Sequence, residues 1–92
     1  SIPLPSSLTE LNLNFNQIVT FNPTIALPSS LTTLDLGFNQ MTLAGYTASE
    51  AWANAQPAFT NPCKVYFGGN TDSITGTNLE AILITKNCVI VA

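Results

Sequence analysis

The chain contains no histidine, and only 8% of its 92 residues are charged. The missing histidine removes the commonest general base, the Ser-His and Cys-His dyads, and most zinc sites. Two cationic side chains face five acidic ones, for a net charge of -3. Such a chain has no basic patch to release counterions from phosphates, so no nucleic-acid partner is expected. No apolar run approaches the ~20 residues of a spanning helix, so no membrane insertion is expected either. Ordinary soluble domains are ~25% charged; solubility here must rest on Ser, Thr and Asn. Sparse charge with abundant Thr and Asn points to an extracellular or virion-surface location. The start, Ser1-Ile-Pro-Leu-Pro5, carries no initiator Met and no signal peptide, which reads as a processed, trimmed or excised chain.

What is present is repetition. Leu4-Pro-Ser-Ser-Leu-Thr-Glu-Leu-Asn-Leu-Asn-Phe-Asn-Gln17 returns 23 residues later as Leu27-Pro-Ser-Ser-Leu-Thr-Thr-Leu-Asp-Leu-Gly-Phe-Asn-Gln40, identical at eleven of fourteen positions. The three differences fall where a side chain would face water. Each copy contains L-x-x-L-x-L-x-x-N: Leu8, Leu11, Leu13 and Asn16, then Leu31, Leu34, Leu36 and Asn39. A period in the twenties with this spacing is the signature of a leucine-rich-repeat solenoid. Ninety-two residues make one domain near the small end of what holds a core unaided, but stacked coils bury their apolar residues against one another.

The pattern predicts short parallel strands at Leu11 to Leu13 and Leu34 to Leu36, with Leu side chains inward at period 2. Asn16 and Asn39 fall where the chain turns away. There an inward amide can bond the turn's unpaired backbone groups, coil upon coil. Pro3 and Pro5 make residues 1–7 an extended lead-in. Residues 18–26 return with no helical period, and Asn22-Pro23 signals a turn. After Met41 the pattern changes. Thr47-Ala-Ser-Glu50 has the form of a capping box ahead of the helix-friendly stretch Ala51 to Gln56, which Pro57 and Pro62 stop. Val65-Tyr-Phe67-Gly-Gly-Asn70 restores L-x-L-x-x-N, with Asn70 lying 31 residues past Asn39.

The last stretch fits two templates. Leu79, Ile82, Ile84 and Asn87 fit another coil, whereas Thr77-Asn-Leu-Glu80 is a second capping box and Leu79, Ile82, Leu83 and Lys86 share one helical face. We take the helix, with Lys86 near its negative C-terminal end and Cys88 to Val91 as a final strand. The expected architecture is an α/β solenoid: a right-handed leucine-rich-repeat coil, with a short parallel sheet of about four strands and two convex-side helices in the C-terminal half. Residues 1–92 form a single domain, with two regular repeats in 1–41 and longer irregular repeats and a C-terminal cap in 42–92.

With its "VYFGGNTDSITG" strand and turn over residues 65–76, its "NLEAILITKN" helix over 78–87 and a short terminal strand, the chain resembles short leucine-rich-repeat domains of environmental bacteria and of bacteriophage tail or fibre proteins. The resemblance covers nearly the whole chain and is strongest from residue 42 onward. It implies a C-terminal module on a surface or virion protein, and names no ligand.

No catalytic residues are expected. Glu50 and Glu80 belong to helix caps, Asp72 to a turn, and Glu10 and Asp35 have no partner for acid/base work. Asn70 and Asp72 alone cannot make a calcium site, which needs several carboxylates. Gly68-Gly69 lacks the Lys of a phosphate loop. No metal and no cofactor are expected. Trp52, Phe15, Phe38 and Phe59 read as packing, with Phe15 and Phe38 stacked as repeat equivalents.

The remaining candidate is the concave sheet face: Asn12, Asn14, Asp35 and Tyr66, with Gly37 and Gly68, and Glu10, Thr33 and Lys64 at the margin. Asn, Asp and Tyr suit hydrogen bonding to saccharide hydroxyls or peptide backbone. The expectation is a non-enzymatic recognition module that binds a host-surface glycan or protein there. The alternative is a structural component that packs against neighbouring copies in a virion, fibre or filament, with self-association through open sheet edges. A solvated face with no ligand is the plainest possibility.

Cys63 and Cys88 each lie two residues before an inward strand position, Val65 and Ile90. Parallel strands run ~4.8 Å apart, within the Cα separations of ~4.4–6.8 Å that a disulfide tolerates. A bridge is expected, and with it an oxidising location. Two buried thiols packing as small hydrophobes are the alternative.

Overall fold

Leucines at alternate positions, bounded by Ser and Thr on one side and Asn on the other, give very short strands. β1 is Glu10–Asn12 and β2 is Thr33–Asp35, each one residue earlier than the leucine spacing suggests. A computed structural model describes residues 7–22 and 27–92. The expected extended lead-in around Pro3 and Pro5, and the turn at Pro23, lie outside these residues. The remaining elements are α1 (Leu43–Ala55), β3 (Cys63–Tyr66), α2 (Asn78–Thr85) and β4 (Cys88–Val91).

The four strands form one open parallel sheet in the order β1-β2-β3-β4. Leu11, Leu34, Val65 and Ile90 are register partners on one face. This is an α/β fold with both helices on that face. Leu34 and Val65 share a single core with Tyr46, Trp52 and Ala53 of α1 and with Leu79 and Leu83 of α2. The helices also pack on each other, and α2 packs on β4. Trp52 is buried in this core with Phe21 edge-on to it, ring centroids 4.8 Å apart.

The described residues between β1 and β2 form no helix and are tied down by α1. Ser49 Oγ accepts the Phe21 amide at 2.9 Å and donates to the Gly45 carbonyl at 2.8 Å. Gln56 clasps Leu27 at both ends: its Oε1 accepts the Leu27 amide at 3.2 Å and its Nε2 donates to the Leu27 carbonyl at 3.1 Å. Both side chains are buried, and their bonds meet the need of buried polar atoms for partners. Gly45 is required because the return loop runs against the helix there. A Cβ would lie 1.9 Å from the Val19 carbonyl oxygen.

Helix α1 starts earlier than the Thr47–Glu50 capping box predicts. Its N-cap is Thr42, in extended backbone, whose Oγ1 accepts the Gly45 amide at 3.1 Å. The carboxylate of Asp72, from the turn after β3, accepts the Leu43 amide at 2.9 Å. A cap supplied from a distant turn leaves no local trace in sequence, and it wins over the local box. Thr47 lies inside the helix, its hydroxyl bonded back to the Leu43 carbonyl. The second box forms in its Thr half, and its Glu bonds the residue before the cap. Thr77 is the N-cap of α2 and accepts the Glu80 amide at 3.2 Å, while Glu80 accepts the Gly76 amide at 2.9 Å. Lys86 reaches across to α1 rather than to its own helix, donating to the Asn54 carbonyl at 3.1 Å.

Candidate functional site

At the end of β1, β2 and β3 the chain makes the same corner three times. Phe15, Phe38 and Gly69 occupy equivalent positions and share left-handed backbone, with φ of 55°, 53° and 79°. Asn16, Asn39 and Asn70 follow. The Asn39 amide nitrogen donates to the carbonyls of Leu36 (3.0 Å) and Gly37 (3.2 Å) in its own coil and of Leu13 (3.0 Å) in the preceding one. Its oxygen accepts the amides of Asn16 at 3.1 Å and Ile18 at 3.2 Å. Asn70 repeats the scheme, donating to Phe67 and Leu36 and accepting from Met41, the equivalent of Ile18. Asn39 is buried at 6% exposure and Asn70 is half-buried.

Asn16 departs from the expectation of a buried side chain. It bonds its own turn at the Leu13 and Asn14 carbonyls but is exposed. The reason is position, since among the described residues β1 is an edge of the sheet.

On the sheet face opposite the helices, register sets out two rows: Asn12, Asp35, Tyr66 and Val91, and Glu10, Thr33, Lys64 and Val89. The residues singled out in sequence therefore lie on one face. They are not equally available. The Asp35 carboxylate accepts the Gly37 amide at 2.9 Å and the Asn14 side-chain amide at 3.1 Å, and Asn12 accepts the Asn14 backbone amide at 3.0 Å. Asn12, Asn14 and Asp35 thus form a bonded cluster at the β1–β2 end. Asn12 is exposed and the other two are half-buried. Tyr66 is half-buried and Lys64 exposed, and beside them in register stand the exposed Val91 and Val89. In sequence Val89 to Val91 stands out only as an open sheet edge; the alternation of Val89 and Val91 with the inward Cys88 and Ile90 is the signal that puts them on the outward face.

Phe15 and Phe38 stack as expected of repeat equivalents, with centroids 4.6 Å apart and planes within 3°. They do so in solvent rather than in the core, at 72% and 56% exposure. Gly69 continues the column, because a Cβ there would meet the Phe38 ring at 2.5 Å.

Cys63 and Cys88 are register partners on β3 and β4, and both are buried. The expected disulfide is not what the structure holds: the two are free thiols. The neighbouring Cys88 thiol lowers the pKa of Cys63 against an opposing effect of burial, and Cys63 and burial raise that of Cys88. No helix among the described residues is long and apolar enough to cross a membrane.

The equivalence of the first two coils has a counterpart in other proteins. Residues 1–39 match the model of the FNIP repeat family. The match ends at Asn39, so it spans both copies of the repeated segment up to the second ladder asparagine and leaves the two helices outside. Neither the curated proteins nor the solved structures give a match. The resemblance to phage-fibre and bacterial surface domains has no counterpart in these comparisons.

Proposed function

We propose that the chain is a non-enzymatic recognition module, built as a leucine-rich-repeat solenoid, that binds a protein partner through the outward face of its sheet. One observation carries this reading. Tyr66, Lys64, Val89 and Val91 stand together on a rigid parallel sheet, with a pre-bonded polar cluster of Asn12, Asn14 and Asp35 beside them. An aromatic residue flanked by apolar side chains and rimmed by polar ones has the make-up of a protein-binding patch. The solenoid reading is supported by coil-to-coil bonds that recur at each repeat: Leu13 to Asp35 and Leu36 to Tyr66, then Phe15 to Gly37 and Phe38 to Gly68. The reading as a non-enzyme is supported by the use of acidic groups. Asp35, Asp72 and Glu80 are each bonded to backbone amides. The sparse charge supports an extracellular or virion-surface setting within the same proposal.

The test is binding to arrayed extracellular proteins and, in parallel, arrayed glycans. Protein binding that is lost in Tyr66→Ala and weakened in Lys64→Ala supports the reading. Glycan binding with the same dependence would change the partner class, and binding indifferent to Tyr66, Lys64 and Asn12 together would move the site off this face. The exposed Phe15–Phe38 pair favours a second reading, a structural component that packs against neighbours.

A further inference from the structure

The β1 edge differs from every internal coil boundary in the same four ways. Leu8, Leu11, Leu13 and Ile18 are only partly buried, whereas their equivalents Leu31, Leu34, Leu36 and Met41 are at most 1% exposed. Phe15 stacks on Phe38 and is 72% exposed, while the Phe38 ring has Phe15 on one face and Gly69 on the other. Asn39 receives two amides of the preceding coil on its side-chain oxygen, and Asn16, in the same role, is exposed. Finally, the carbonyls of Asp35 and Gly37 accept the amides of Leu13 at 2.9 Å and Phe15 at 3.2 Å. The same register places the Asn12 and Asn14 carbonyls at the free edge.

We propose that this edge is a docking site for an extended segment of the chain's own repeat pattern, L-x-x-L-x-L-x-F-N, added as a fifth parallel strand. The occupant follows from continuity with the two coil boundaries already formed. A parallel strand continues the pairing that β1, β2, β3 and β4 already share, with its amides on the Asn12 and Asn14 carbonyls. Only inward leucines at period 2 extend the row of Leu11 and Leu13. A ring at the corner would stack on Phe15 as Phe38 does, since the two corners share left-handed backbone and hold their ring planes within 3°. Phenylalanine in that conformation is strained, and strain of this kind persists where the surrounding structure fixes it. Strand addition at an exposed edge takes affinity from main-chain bonds and specificity from alternate side chains. This surface is the sheet's edge and aromatic column, separate from the Tyr66 face, and does not depend on the function proposed above.

The experiment uses the full chain and a synthetic peptide of residues 27–40, followed by amide chemical shifts on titration. The expected result is saturable binding with shifts concentrated at residues 8–18. Phe15→Ala in the chain and Phe38→Ala in the peptide should each weaken binding by about fivefold, the value of a stacked aromatic pair. Because Phe15 is exposed, its replacement leaves the core intact, and circular dichroism checks this. An absence of saturable shifts at millimolar peptide would overturn the proposal. So would shifts centred on β4 or the Tyr66 face, or affinity unchanged in both alanine variants.

Discussion

The side-chain oxygen of Asn39 accepts the backbone amide of Asn16, so the corner of one coil is held by the corner of the next. Five hydrogen bonds converge on this one buried amide. Replacing Asn39 by Leu strands the backbone groups it serves, and a buried group left unpaired costs ~1–3 kcal/mol. Chemical denaturation should show a loss at the upper end of that range. Asn16→Leu, at an exposed corner whose groups can turn to water, should cost well under half as much. Equal losses at the two sites would refute the ladder.

Gly45→Ala tests the approach of α1 to the return loop. The added methyl would stand 1.9 Å from the Val19 carbonyl oxygen, and backbone cannot swing aside as a side chain can. Alanine normally favours a helix over glycine by ~1 kcal/mol. Here the sign should reverse, with a net loss of about 1–3 kcal/mol from overpacking. A melting temperature equal to or above the parent's would show that the loop is not packed there.

Tyr46 is buried, and its hydroxyl donates to the Asp72 carbonyl at 2.6 Å. Burial, and secondarily the Asp72 charge, raise its pKa above the ordinary value of 10.0. The folded state therefore holds this proton more tightly than the unfolded chain does. The associated stability is full below the unfolded pKa and is lost as pH rises through the folded one. Unfolding free energy should fall above about pH 10, and Tyr46→Phe should remove that contribution at a cost of ~1 kcal/mol at neutral pH. An alkaline slope unchanged in Tyr46→Phe would assign it to other groups.

Cys63 and Cys88 should close to a disulfide when the chain is treated with oxidised glutathione, because their strands are in register side by side. One of the two thiolates attacks oxidised glutathione and forms a mixed disulfide with release of one glutathione thiol, and the other then displaces the second. Trypsin cleaves after Lys64 and Lys86 and so separates the two cysteines. Unreduced peptides should run as one linked species ending at Lys64 and beginning at Asn87. The bridge should add about 3 kcal/mol in the chain-entropy model. Two separately alkylated cysteines after prolonged oxidation would rule it out.

Much of the fold was legible because the repeat writes its own register. Leu11, Leu34 and Val65 could be aligned without a structure, and with them the shared face of Asn12, Asp35 and Tyr66. Helix α2 was legible for the same reason, since its cap lies within four residues of sequence. Helix α1 was legible as a helix but not in its beginning, because Asp72 completes the cap from another turn. The outward row was read only in part. A leucine pattern reports what faces the core, and says nothing of whether Asp35 is free or spent on Gly37 and Asn14. The exposure of Phe15 and Phe38 was illegible because aromatic residues are ordinarily core, and only a left-handed corner turns them outward.

The burial of repeat equivalents gives the molecule a direction. Helix α2 packs on the β4 edge and on α1, while among the described residues the opposite edge, β1, has a neighbour on one side and no helix against it. Opening begins where packing is least, at the strand whose leucines are only partly buried. Amide protons of Leu11 and Leu13 should exchange first, those of Leu34 and Leu36 later, and those of Val65 and Phe67 only with the whole chain. A protease acting on the folded protein would unzip it in that same order, so the order of cleavage would give a clock for the fold.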